Sequence, residues 1–393
     1  MFTPQRLTML IFFLQPIAFG SWLPRIPDVQ NALGLGPQGL AIALLGLPCG
    51  TLLTLPFAGP LVGKIGPRVA ILIGMVLYSI AAVLPALAPS STLLFIALMF
   101  TGSSLSFVEL GLNVQADAVE KATKTHIMTT SHGFWSVGIM TGSLVGSGLA
   151  WLGLSPQMAI GLVAVVVLPL ALVVARALPV FAAEAPQSEG QRSAWALPSW
   201  PLLGICFFVF GITMTEGAMA DWSAIFLRDA LGATGGTVGL GYSVFAFMVA
   251  TGRFGGDTLK KHFGAVNTAR ICGVLALTGA GLLFVAPNTP LALVGFGIIG
   301  LGVSVGFPLA VTAAAGLTDR AASANVAILS FVALLGFLVG PPVIGFVAEH
   351  FDMRLGIACL VPVLLISLLL TGRLVTKAKA TPDNPEAEVP GVL

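Results

Sequence analysis

The 393 residues are 56% hydrophobic and only 9% charged, with a formal net charge of +2 and a mean hydropathy of +1.00. A soluble globular domain carries about 25% charged residues, so this composition excludes a water-solvated fold, and it offers no basic face for nucleic acid. A bilayer crossing takes ~20 apolar residues, so a chain of this length holds roughly twelve spans and little loop.

The apolar runs are long and continuous rather than short and alternating, which reads as an all-α membrane protein and not a β-barrel. In chain order they are Leu7 to Leu23, Leu40 to Val62, Val69 to Leu87, Leu93 to Ala116, Ile127 to Trp151 and Met158 to Leu178. A second set follows at Leu202 to Leu227, Val238 to Gly256, Ala269 to Val285, Leu291 to Leu317, Ala322 to Val347 and Leu355 to Leu374. The N-terminus runs straight into the first apolar stretch without a small-residue cleavage site, so a retained first span is expected. Between the sixth and seventh spans, Phe181 to Trp200 carries Glu184, Glu189, Gly190 and Arg192 and reads as a polar linker.

The expected division is therefore an N-terminal six-helix bundle over 1–180, a cytoplasmic linker over 181–200 and a C-terminal six-helix bundle over 201–376. A Pro-rich, charged tail over 377–393 reads as disordered. Basic residues crowd alternate connections, with Arg25, Arg228 and Arg354 left on the opposite side. In that tally Arg253 is a loop residue. The positive-inside rule then puts both termini in the cytoplasm of a bacterial inner membrane.

The two sets of spans also resemble each other. Ser136-Val-Gly-Ile-Met-Thr-Gly-Ser-Leu-Val-Gly146 in the fifth is echoed by Ser330-Phe-Val-Ala-Leu-Leu-Gly-Phe-Leu-Val-Gly340 in the eleventh. Trp22 and Trp222 hold similar places in the first and seventh. Such matches are the mark of internally repeated transporters.

Polar side chains inside spans carry the functional signal, because an ionised group at the centre of a span costs ~2.5–3.5 kcal/mol and something must compensate it. Glu109, Asn113 and Asp117 recur every four residues on one stripe of the fourth span, with Glu109 ~12 Å inside Asp117. A carboxyl at that depth suits binding and release of a proton. In the seventh span Glu216 falls near the midplane, while Asp221 approaches the outer interface and is a candidate partner for Arg25 or Arg228. His132, Trp135 and Ser136 share a face of the fifth span, and Gln15 marks the middle of the first. The expected proton-linked acids are thus Glu109 and Glu216, with Gln15, Asn113, His132, Trp135, Asp221 and Trp222 as substrate-binding candidates. Packing between helices is the competing role for each of them.

Cys49, Cys206, Cys272 and Cys359 lie in four separate apolar runs without metal-ligand spacing, so no metal site or disulfide is expected. Gly295-Phe-Gly-Ile-Ile-Gly300 matches a dinucleotide fingerprint in letters alone, since no strand precedes it. No nucleophile with a base stands out, and the chain is not read as an enzyme. It is read as needing no cofactor beyond a proton gradient.

Gly59-Pro-Leu-Val-Gly-Lys-Ile-Gly-Pro-Arg68, between the second and third spans, resembles the cytoplasmic loop motif of the major facilitator superfamily, with Gly63 where that motif has Asp. Gly252-Arg-Phe-Gly-Gly-Asp257 with Lys260, Lys261 and Gly264 looks like a second copy. Within the superfamily the chain resembles fucose-permease-like sugar/proton symporters. Glu109-Leu-Gly-Leu-Asn113 matches that group's Glu-x-x-x-Asn, and His132-Gly-Phe-Trp-Ser-Val-Gly138 echoes its fifth-span motif. The group's first-span Asn-Asp pair is Trp22-Leu23 here, and its fifth-span Gln and Asn are His132 and Trp135. The resemblance implies a twelve-helix fold of two bundles around a central cavity, working as a monomer in the lipid bilayer. It implies proton-linked transport of a sugar-like solute with Glu109 as the proton-linked acid. Two alternatives stay open at this stage, efflux of an amphipathic compound by proton antiport and a transporter-derived membrane sensor.

Overall fold

The computed structural model describes residues 3–181 and 198–375; most of the expected linker and the whole tail from 377 lie outside that range. Among the described residues, twelve membrane-length helical segments follow one another. They are α1 Pro4–Ala32, α2 Pro37–Ile65, α3 Pro67–Leu87, α4 Ser91–Thr123, α5 Met128–Trp151 and α6 Pro156–Ala177, then α7 Trp200–Leu231, α8 235–263 and α9 265–285, the two arms of a helical run kinked at Gly264, and α10 Thr289–Ala315, α11 Ala324–His350 and α12 Met353–Leu374. Eleven are long and apolar enough to cross a membrane. The other, α5, has the length but carries Thr130, Ser131, His132, Ser136, Thr141, Ser143 and Ser147 among its 24 residues. Its place in the bundle explains the polarity: it packs along α1 on one side and α8 on the other, where serine and threonine hydroxyls bond to the preceding turn or across the seam.

Close approach of backbones builds each half. A Cβ at Gly138, Gly142 or Gly146 of α5 would collide with the carbonyl oxygens of Phe13, Ile17 or Ser21 in α1. Gly46 and Gly50 of α2 likewise meet the carbonyls of Phe95 and Met99 in α4. In the second half Gly336 of α11 sits against Phe210 and Thr213 of α7, and Gly300 of α10 against Phe245 of α8. Gly142 and Gly336 are aligned in the sequence repeat, and both meet the first helix of their own half.

The loop motif repeats in the backbone as well. Gly66, between α2 and α3, has φ 82° and ψ 153°; Gly264, at the corresponding kink between α8 and α9, has φ 75° and ψ 166°. That region is open to glycine alone. Arg68 donates to the carbonyl of Arg176 at the end of α6, a cation placed where a helix C-terminus favours one. Glu120, near the end of α4, accepts from the backbone N–H groups of Ile127 (2.5 Å) and Met128 (2.8 Å) and so caps the start of α5.

The halves meet along α5–α8 and through α2–α11. Toward the face away from the termini the contacts are dense. Gly236 and Gly239 press on Ser147, Ser143 bonds Ser243 at 2.9 Å, and Gly345 of α11 packs on Ala41 and Pro37 at the start of α2. Arg228 reaches over to Pro27 O (3.0 Å), Asn31 Oδ1 (2.9 Å) and Gln30 Oε1 (2.7 Å), and Glu349 accepts from the Gln38 N–H at 3.1 Å.

Candidate functional site

Between the halves lies a cavity of about 270 Å³, lined by α1, α2, α4 and α5 on one side and α7, α8 and α11 on the other. Its walls are mostly aromatic and aliphatic, with Phe19, Trp22, Trp135, Tyr242, Phe245 and Phe337 among them. Three carboxyl groups and one guanidinium interrupt this surface: Glu109 from α4, Glu216 and Asp221 from α7, and Arg253 from α8.

Local sequence explains how they converge. Glu109 lies on the inward stripe of α4, one turn from Leu105 on the same cavity wall. Glu216, Gly217, Ala220 and Asp221 form the corresponding stripe of α7, with small residues between the acids leaving the cavity open. In α1, the break at Gln15 and Pro16 leaves Gln15 fully buried, its Oε1 accepting from Trp135 Nε1 at 3.1 Å. The Glu109 carboxyl faces the same indole. Gln15 thus stands behind Trp135 and orients it, and does not line the cavity. Asn113 and His132 pair at 3.2 Å between Oδ1 and Nε2, nearer the face that carries the termini.

Two expected placements change. Asp221 is not a surface residue bonded to an outer arginine. Arg25 pairs with Asp28 at 2.7 Å and donates to Leu154 O, and Arg228 pairs with Asp229 at 2.5 Å while crossing to α1. The discontinuous first helix brings its own acceptors to both arginines and leaves Asp221 turned inward. Trp222, the next residue, points the other way: it is fully buried against Gly345 of α11, away from the cavity, while Trp22 lines it.

Arg253 is the residue that the charge tally misplaced. It lies inside α8, about three turns before the kink at Gly264, and its guanidinium lines the cavity, where Nη2 pairs with Glu216 Oε1 at 3.2 Å and Nη1 donates to Ser136 Oγ at 2.8 Å. A deep carboxylate in α7 with no cation in its own helix nearer than Arg228, at the far end, was the available signal. No metal-holding cluster of His, Cys, Asp or Glu occurs among the described residues.

Residues 8–297 and 202–392 match the profile of the Major Facilitator Superfamily. The chain belongs to that superfamily. It is 30% identical over 370 residues to an uncharacterized MFS-type transporter of Yersinia pestis, covering 94% of this chain and 95% of that one. It is 32% identical over 363 residues to an uncharacterized transporter of Sinorhizobium fredii, covering 90% and 93%. A shorter stretch, 36% of each chain, is 27% identical to a multidrug resistance protein of Bacillus subtilis. The fold is similar to a crystal structure of the nucleoside transporter NupG, with a TM-score of 0.77 at 13% identity over 95% of this chain and 100% of that one. The chain is therefore a multi-pass membrane transporter of this superfamily. Its relatives do not single out a sugar-transporting branch.

Proposed function

We propose that this protein is a proton-coupled secondary transporter that moves a small polar solute across the bacterial inner membrane by alternating access. One observation carries the reading: Glu109, Glu216, Asp221 and Arg253, from both halves, converge on one cavity between them. Ionisable groups are expensive in a bilayer and are kept where they bind an ion or a solute. Glu109, beside the Trp135 indole on the cavity wall, is the proposed proton-linked acid of the first half, and Glu216, paired with Arg253, that of the second.

A sugar or sugar-like cargo suits the walls, because indole faces stack on apolar ring faces while the carboxyl groups take hydroxyl hydrogen bonds. The volume of about 270 Å³ falls near the low end of ligand pockets, ~300–1,000 Å³. That favours a small solute over a bulky amphipathic one. The multidrug resistance relative and the aromatic lining support the second reading, efflux, which needs a wider cavity than this conformation provides.

The concentration of cations at the terminus-bearing face supports placing both termini in the cytoplasm. On that orientation the dense inter-half contacts close the periplasmic face, and the state described is inward-facing.

A thermal-shift screen of the purified protein against sugars, polyols, organic acids and drugs at two pH values would identify a cargo, to be followed by proton-driven uptake into proteoliposomes. Glu109→Gln should abolish accumulation driven by a pH gradient. Undiminished accumulation would remove Glu109 from the mechanism, and a screen answered by large amphipaths alone would favour efflux.

A further inference from the structure

The three carboxyl groups on the cavity wall are not equally partnered. Glu216 is held by Arg253 at 3.2 Å, and the guanidinium's other bond goes to Ser136. Glu109 faces the Trp135 indole. Asp221 has neither an ion pair nor a hydrogen bond among the described residues. Neither proton site of the transport reading makes use of it.

Helix directions explain why no cation of the protein reaches it. From its start at Trp200, α7 runs away from the termini, so Asp221 lies ~8 Å beyond Glu216 along the helix axis. Arg253 comes from the other end, three turns past Tyr242 on the way down α8. The outer arginines are engaged as well, Arg25 by Asp28 and Leu154 O, Arg228 by Asp229 and α1. At the Asp221 end the cavity wall is aromatic. Tyr242 lies within electrostatic range of Asp221, its ring 5.7 Å from that of Phe245, and Trp22 enters from the outer part of α1. The face of such a ring attracts a cation placed over it.

A carboxylate without a counter-charge in an apolar cavity is costly, and the charge of the cargo decides whether binding relieves or worsens that. An anionic solute brings one more negative charge to a wall whose single guanidinium is already paired. A neutral solute displaces water from Asp221 and supplies no charge in return. A cationic one provides the missing partner, with ring faces beside it. We infer that the cargo carries a protonated amine and that Asp221 is its counter-ion. The inference rests on the reading of the cavity as the cargo site, and it narrows the small sugar-like solute to an aminated one. The ammonium group pairs with the Asp221 carboxylate at the outer end, among Trp22 and Tyr242. The uncharged remainder of the solute lies toward Trp135 and Glu109. Cations are thus selected over neutral and anionic solutes of the same shape.

The test reads binding, not flux. Full-length protein in nanodiscs at pH 7, where an alkyl amine is ionised as lysine is, is titrated calorimetrically with three matched sets of probes. These are glucosamine, glucose and glucuronate; cyclohexylamine, cyclohexanol and cyclohexanecarboxylate; and benzylamine, benzyl alcohol and benzoate. In at least one set the amine should bind about tenfold or more tightly than its neutral partner, and the carboxylate most weakly. Asp221→Asn should erase the difference between amine and alcohol, and Asp221→Glu should keep part of it. Ligand-free Asp221→Asn should melt no lower than the parent, since it loses an uncompensated charge; if it fails to fold, Asp221→Ser takes its place. Amines that bind no better than their neutral partners in any set, or a preference that survives Asp221→Asn, overturn the inference. A preference lost in Glu109→Gln and kept in Asp221→Asn overturns it too, by moving the counter-ion to Glu109. Tightest binding by a neutral or anionic probe removes the amine and leaves the cavity as a cargo site, whereas failed proton-driven uptake leaves the measured preference intact.

Discussion

Replacing Gln15 with leucine separates a residue that shapes the site from one that fills space. The Gln15 carboxamide accepts from Trp135 Nε1, but its own Nε2 is buried without a partner, and an unpaired buried donor costs about 1–3 kcal/mol. Leucine removes that burden together with the indole's acceptor, so folding stability should change by less than about 1 kcal/mol while Trp135 loses its orientation. Thermal melting should barely move. Uptake, once a cargo is known, should weaken by roughly tenfold, the equivalent of about 1.4 kcal/mol; unchanged uptake would show that Gln15 only packs. At this scale the sequence was informative where charge met apolar context. Glu109 stands out because it is the one charged side chain of Leu93–Ala116, and Glu216 and Asp221 because they are the two of Leu202–Leu227. It was silent on direction: Asp221 and Trp222 are neighbours, and only the packing of α7 against α11 decides that one faces the cavity and the other the core. Arg253 was hidden because the apolar run fades near Gly256 and a cation there reads as loop, whereas the helix runs on to the kink at Gly264 and keeps Arg253 inside it.

Helix pairing in this molecule depends on missing side chains. Gly142 lets α5 approach α1 until its would-be Cβ collides with Ile17 O, whereas Gly148, two turns on, has open space at that position. Gly142→Ala should therefore force the helices apart and destabilise the protein by about 1–3 kcal/mol. Gly148→Ala should be neutral or stabilising by up to about 1 kcal/mol, as alanine is the better helix former. Paired thermal melts of the purified variants check this, and equal melting temperatures would rule out the close approach. The four-residue glycine spacing was legible in the sequence as a packing stripe, and the repeat at Gly336 and Gly340 pointed to its counterpart. The breaks were not legible. Pro56 and Pro60 sit inside a continuous stretch of α2, while α1 is interrupted at Pro16 and again over Leu23–Arg25. A proline leaves the i−4 carbonyl unbonded in either case, and tertiary neighbours decide whether the helix bends or stops.

The state of the whole molecule depends on how firmly the face away from the termini is shut. Arg228 provides three bonds from α7 to α1, at Pro27 O, Asn31 Oδ1 and Gln30 Oε1, and Asp229 beside it holds the guanidinium at 2.5 Å. Hydrogen bonds to a charged group contribute about 1.5–3 kcal/mol each when well formed, less where the group is partly exposed, as this one is. Even a net 1.4 kcal/mol shifts a two-state equilibrium tenfold. The Glu349 contact to the Gln38 N–H and the Ser143–Ser243 bond close the same face, so removing Arg228 should loosen that face without dissolving the fold. Spin labels at Leu152→Cys and Phe351→Cys, exposed positions on that face in opposite halves, should show Arg228→Ala gaining a longer-distance population that the parent lacks. Arg228→Lys should fall between them, since an ammonium cannot reach three acceptors with the guanidinium's fixed fork. If Arg228→Ala keeps the parent distribution, the closed face is held by the glycine-mediated packing of α8 on α5 and of α11 on α2, and the arginine is an ornament of a seam shut by backbone contact.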